Sequence, residues 1–254
     1  MSKIVIKRLK LSPDWAEFIA VLFIVWLPAV LPDGQPASAT MRHAELYSQW
    51  GFAREIIRSF GGGFLAAFFL WSKPADPSFL SLVSSRVSPA RQIAAGVGLW
   101  FAYYLFFDFW GLLSSVLHMR SGYAPWFQPQ TQVEVMQNTF FSVVNGVSEE
   151  IIRVYLLSQC AKLGGGNKKG IVSCAFLIAA YHSYQGSFTA VGFFAVNLVI
   201  NAFYLRHRSL LALFVWHVMS DCMHSTDLPG WGIVSTLASG AVMDVLSWLG
   251  LVAW

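Results

Sequence analysis

Long apolar stretches, joined by short polar connections, run through nearly the whole chain. Eight of them hold apolar residues densely enough, and for long enough, to be bilayer-crossing helices. They lie at about 18–31, 56–71, 93–117, 139–163, 170–184, 188–205, 210–223 and 232–254. The fifth to seventh are short and tightly linked, as tilted or fused helices would be. All are too long, and alternate too poorly, to be barrel strands. The pattern predicts an all-α, polytopic transmembrane helical bundle of about eight spans, a single integral-membrane domain over 1–254 with no repeat and no soluble domain. The Pro- and Ala-containing stretch 31–48 reads as an outer loop, and 164–169 (GGGNKK) as a flexible inner turn.

Composition points the same way. Of 254 residues, 56% are hydrophobic and 12% charged, roughly half the charge of a soluble domain. One core of this size could not bury so much apolar surface, whereas lipid can solvate it once each backbone polar group is satisfied within a helix. Lys3, Lys7, Arg8 and Lys10 precede the first span and set a cytoplasmic N-terminus. Eight alternations then leave Lys73, Arg86, Arg91, Lys162, Lys168, Lys169, Arg206 and Arg208 inside as well, with Arg42, Arg54, Arg58 and Arg120 outside. The net charge of +4 is therefore topological and does not call for nucleic acid. Asp14 and Glu17 separate the basic cluster from the first apolar run, which reads as a retained helix rather than a signal peptide in a plasma (inner) or endomembrane protein. Cys160, Cys174 and Cys222 lack CxxC spacing and read as small core residues.

Ionisable residues inside these spans carry the functional signal. Each costs ~2.5–3.5 kcal/mol at mid-helix, whereas a Leu or Ile returns only ~0.3–0.6 kcal/mol. The fourth span holds Glu149, Glu150 and Arg153 together, so this group must face the bundle interior and find partners there. Arg153 is a helical neighbour of both acids. An internal ion pair is the structural reading, yet two acids against one Arg leave a carboxylate without a local cation, a setting that suits a general base. His182 ends the fifth span, and His217, Asp221 and His224 share a face of the seventh. Any of these can be a hydrogen-bonded packing group; on three nearby helices they form a hydrolytic toolkit. HExxH, GxSxG, Walker and GxGxxG sequences are absent. Gly61–Gly63 allows close helix packing or a bend, and Asp108 is expected to make a structural hydrogen bond.

These motifs resemble the type II CAAX prenyl endopeptidases and the wider CAAX-protease and bacteriocin-processing family. That family carries a double Glu followed by Arg on one helix, FxxxH on the next and HxxxN or HxxxD on a later one. Glu149-Glu150, His182 and His217/Asp221 occur in that order, and the peptidase-like core would span about 139–224. Tyr181 to Gly186 and the basic turn Tyr204 to Leu210 are also similar. Two departures stand out. Val154 occupies the usual Arg position, so Arg153 comes one residue early, toward the face of Glu149, where it would weaken Glu149 as a base. Ile178 occupies the Phe position, with Phe176 nearby.

The resemblance implies an intramembrane endopeptidase. Glu149 would activate water, His182 would help to hold it, and His217 and Asp221 would orient or stabilise the oxyanion. Asp221 would take a proton from His217, and Glu150 with Arg153 would support the site. No cofactor is obligatory; zinc is an alternative, with Glu149, His182 and His217 as candidate ligands. The expected partners are a membrane-anchored protein or peptide, prenylated or leader-bearing, and the lipid bilayer. Rival readings are a proton-coupled transporter and a catalytically inactive membrane scaffold or immunity protein.

Overall fold

The computed structural model describes residues 13–30, 48–72, 87–117 and 131–225. Among these the chain forms seven α-helices and one 3-10 turn, with no strand. The helices are α1 (Pro13–Val30), α2 (Gln49–Ser72), α3 (Pro89–Val116), α4 (Gln132–Gly164), α5 (Asn167–Tyr181), α6 (Ser187–His207) and α7 (Leu210–Ser225), with the turn His182–Gln185 between α5 and α6. They cover seven of the expected apolar segments; the eighth, 232–254, lies outside the described residues. Several begin earlier than expected, because polar first turns such as that of α4 fall outside an apolar window.

Among the described residues, α3 and α6 are long and apolar enough to cross a membrane, and Leu210–Cys222 is a shorter apolar helix. That is fewer than the eight spans read from the apolar windows. The reason is visible in α4, whose 33 residues are interrupted by Asn145, Glu149, Glu150 and Arg153.

Thr131 caps α4, its side chain accepting from the Glu134 backbone N–H at 3.2 Å, one of the orphan donors of a first turn. At the other end Gly165 takes a left-handed conformation (φ 76°), which glycine adopts without a Cβ penalty. The expected flexible turn at 164–169 is instead a tight corner, since α5 begins at Asn167. This corner sets the depth of the site. Glu149 lies fifteen residues before Gly164 and α5 has 15 residues, so at about 1.5 Å rise each the end of α5 returns to the level of Glu149.

Helix α4 is the centre of the bundle. α2, α5 and α7 pack directly on it, α3 packs on α7, and α6 packs on α5. Tyr155, Leu157, Trp100, Tyr204 and Leu213 fill the apolar interior. The acids that separate the first apolar run from the basic cluster find partners on α4: the Tyr155 hydroxyl donates to Glu17 at 3.0 Å, and Lys162 pairs with Asp14 at 2.8 Å. Cys160 and Cys174 are buried and free. Asp108 is half-buried on α3 and, among the described residues, has no hydrogen bond of the kind expected of it.

The glycine run does not bend α2, which is continuous through it. Gly63 instead permits close approach, because a Cβ there would sit 2.8 Å from the Ser148 side chain and 2.9 Å from its Cα, whereas one at Gly61 would meet nothing. The contact falls one residue before Glu149. Gly63→Val is expected to lower stability by ~1–3 kcal/mol, as overpacking does, with Gly61→Ala near wild type. Thermal unfolding of the detergent-solubilised variants checks both.

Candidate active site

Glu149 and Glu150 are successive residues of α4, about 100° apart around its axis, so their carboxylates face different neighbours. Glu150 is fully buried. Its Oε2 accepts from Arg153 Nε at 2.7 Å, and its Oε1 lies 2.6 Å from His217 Nδ1 on α7. Arg153 also donates through Nη1 to Asn197 Oδ1 on α6 and lies over the Trp216 ring, 5.4 Å from its centroid. Asn197 in turn donates to the Phe193 carbonyl at 2.7 Å.

Glu149 turns the other way. Its Oε1 accepts from Asn145 Nδ2 at 3.1 Å, and its Oε2 lies 3.5 Å from His217 Nε2. Asp221 Oδ1 approaches the same Nε2 at 3.6 Å, while its Oδ2 accepts from Asn145 Nδ2 at 3.0 Å. Ser59 of α2 donates to Asn145 Oδ1 at 3.1 Å. His182 opens the 3-10 turn and stacks on Phe193 with centroids 4.1 Å apart and planes 12° from parallel. A cavity of about 40 Å³ lies between α4 and the end of α5, lined by Glu149, Ile152, Arg153, Leu156, Ile178, Tyr181 and His182. It is large enough for water.

The proton count follows from these contacts. With Arg153 against it, Glu150 is an ionised acceptor, so His217 Nδ1–H must donate to it. The remaining ring nitrogen, Nε2, faces Glu149 Oε2 and Asp221 Oδ1 together. Two carboxylate oxygens do not both approach an imidazole lone pair, so at least one of these three atoms carries a proton. Such a group can accept a proton and pass it on.

Several expectations need correction. The Arg153 guanidinium does not turn toward Glu149: it bonds Glu150 and Asn197 and lies over Trp216. The carboxylate that orients His217 is Glu150 rather than Asp221, whose oxygen is a full 1 Å farther away (3.6 against 2.6 Å). Ile178 lines the cavity, whereas Phe176 is 63% exposed on the opposite side of α5 and takes no part. The side chain of His224 lies outside the described residues. Asn145, Ser59, Asn197 and Phe193 were not singled out from the sequence. Asn145 alone carried a usable signal, as an amide one helical turn before Glu149 in an apolar run.

The segment that carries this site matches a known family. Residues 131–223 match the type II CAAX prenyl endopeptidase Rce1-like family. The match runs from the cap of α4 into α7 and so takes in Glu149, Glu150, Arg153, His182, His217 and Asp221. The family is described as one of endopeptidases. No curated protein and no solved structure gave a match. Among the described residues, no three His, Cys, Asp or Glu side chains are grouped to hold a metal ion. Of the candidate zinc ligands Glu149, His182 and His217, Glu149 Oε2 lies 3.5 Å from His217 Nε2, and the His182 ring is stacked on Phe193.

Proposed function

We propose that the chain is an intramembrane endopeptidase that hydrolyses a peptide bond of a membrane-associated substrate, prenylated or leader-bearing, with water activated by Glu149. One observation carries this reading: Glu149 belongs both to the water-sized cavity with His182 and to the cluster with His217 and Asp221. Water held at His182 gives a proton to Glu149 Oε2 as its oxygen attacks the carbonyl carbon. His217 Nε2–H then turns from the carboxylates to the developing oxyanion. As the C–N bond breaks, the proton on Glu149 passes to the departing amine.

The surroundings favour a bilayer. Phe60, Phe64 and Phe68 form an i, i+4 row on α2 that is 60, 63 and 55% exposed, while Glu150, Arg153, Asn197 and Asn201 are buried. Apolar rings outside and charges inside suit a lipid-solvated bundle. In this reading the remaining apolar segments also span, the chain is multi-pass, and the N-terminus is cytoplasmic.

The test is cleavage of prenylated and leader-type peptides by the full chain in detergent. Wild type is expected to cut at least one class and His182→Ala to cut it far more slowly. Equal rates in folded wild type and His182→Ala would overturn the proposal, and ion-gradient-dependent transport without cleavage would replace it with a transporter. Because no step is assigned to a metal, treatment with a strong chelator should leave the rate unchanged. Loss of activity on chelation, restored by zinc, would overturn that part.

A further inference from the structure

Asn145 is joined to more of the site than any other uncharged side chain described, and neither the sequence motifs nor the matched family assigns it a role. One amide nitrogen, Nδ2, donates to Glu149 Oε1 at 3.1 Å and to Asp221 Oδ2 at 3.0 Å. An amide NH2 has two protons, one for each carboxylate. The reverse amide orientation would turn a bare oxygen toward two carboxylates. The carboxylates disfavour it, and Ser59 completes the observed orientation by donating to Oδ1 from α2 at 3.1 Å. That contact depends on the close α2–α4 approach at Gly63.

These bonds occupy one oxygen of each acid and leave the other facing His217 Nε2, at 3.5 Å for Glu149 and 3.6 Å for Asp221. Without the amide, two carboxylates on α4 and α7 would face each other with nothing between them, and either oxygen of Glu149 could turn toward the cavity. We infer that Asn145, supported by Ser59, is a positioning residue that selects Glu149 Oε2 as the proton-accepting atom and keeps Asp221 from displacing it. The inference rests on the endopeptidase reading above. It extends the working site to α2, outside the matched segment.

A substitution series in the full chain tests it. Asn145→Asp keeps the side-chain shape but replaces the amide with a third carboxylate. It should lower kcat by about 100-fold, within the range of a displaced general base, and leave KM unchanged. Asn145→Asp/Asp221→Asn returns the group to its original net charge but leaves a carboxylate at position 145 against Glu149, so kcat should stay near that of the single variant. Ser59→Ala should give a smaller loss of kcat, again at constant KM. A purely structural Asn145 would lower thermal stability without this fall in kcat at constant KM. The inference fails if folded Asn145→Asp has wild-type kcat, or if the exchanged pair, with the amide moved off Glu149, recovers it. Failure of the endopeptidase reading itself is distinct, since the wild type would then cleave neither class of peptide.

Discussion

Glu149→Gln should abolish peptide cleavage while leaving the fold intact. The substitution changes one oxygen to nitrogen, so a glutamine carbonyl can still accept from Asn145 Nδ2, the bond that holds Oε1 now at 3.1 Å. What disappears is the basic atom facing the cavity and His217. A positioned general base typically contributes 10²–10⁴-fold, or ~3–5 kcal/mol of barrier at 1.36 kcal/mol per tenfold. A folded Glu149→Gln should therefore retain less than about one part in a hundred of wild-type kcat. Stopped assays on prenylated and leader-type peptides, with thermal unfolding run in parallel, measure both properties. A well-folded Glu149→Gln that cleaves at the wild-type rate would show that the carboxylate is not the base.

Arg153→Met should be among the most destabilising single substitutions in the bundle. Its guanidinium is bonded to Glu150, and the two side chains are 5% and 0% exposed. Removing the cation leaves Glu150 charged in the interior with only the His217 ring beside it, and breaking a buried pair from one side costs ~3–5 kcal/mol. Asn197 loses its donor at the same time, loosening the support for Phe193 and hence for His182. The companion variant Arg153→Met/Glu150→Gln removes the stranded charge but keeps an oxygen that can accept from His217 Nδ1. It should regain most of the lost stability, because the cost lies in the unpaired charge rather than in the missing contact. Thermal unfolding of the single and double variants decides the matter. If the double is no more stable than the single, the buried charge is not the source of the loss.

The pair of predictions separates two jobs that adjacent residues perform. Glu149 keeps a route to the cavity, while Glu150 is spent on holding Arg153 and His217. Which acid does which could not be decided from spacing, since Arg153 lies within one turn of both. It was decided by α6 and α7, which bring Asn197 and Trp216 to one side of the guanidinium. In the same way, the His217–Asp221 spacing of one turn suggested a pair. A carboxylate from another helix, Glu150, comes closer and accepts the hydrogen bond from Nδ1–H.

Local pattern alone was enough for the helical class, for seven helices in their approximate places, and for the choice of Glu149, Glu150, Arg153, His182, His217 and Asp221 as the polar group to watch. It succeeds there because apolar periodicity and the cost of a charge in an apolar run are properties of a short stretch of chain. The sharp corner after Gly164, the Gly63 approach to Ser148 and the bridging amide of Asn145 lie beyond it. Each depends on which side chains distant parts of the chain bring within hydrogen-bonding or van der Waals reach. In a bundle whose central helix has several equivalent polar neighbours, only the packed structure chooses among them.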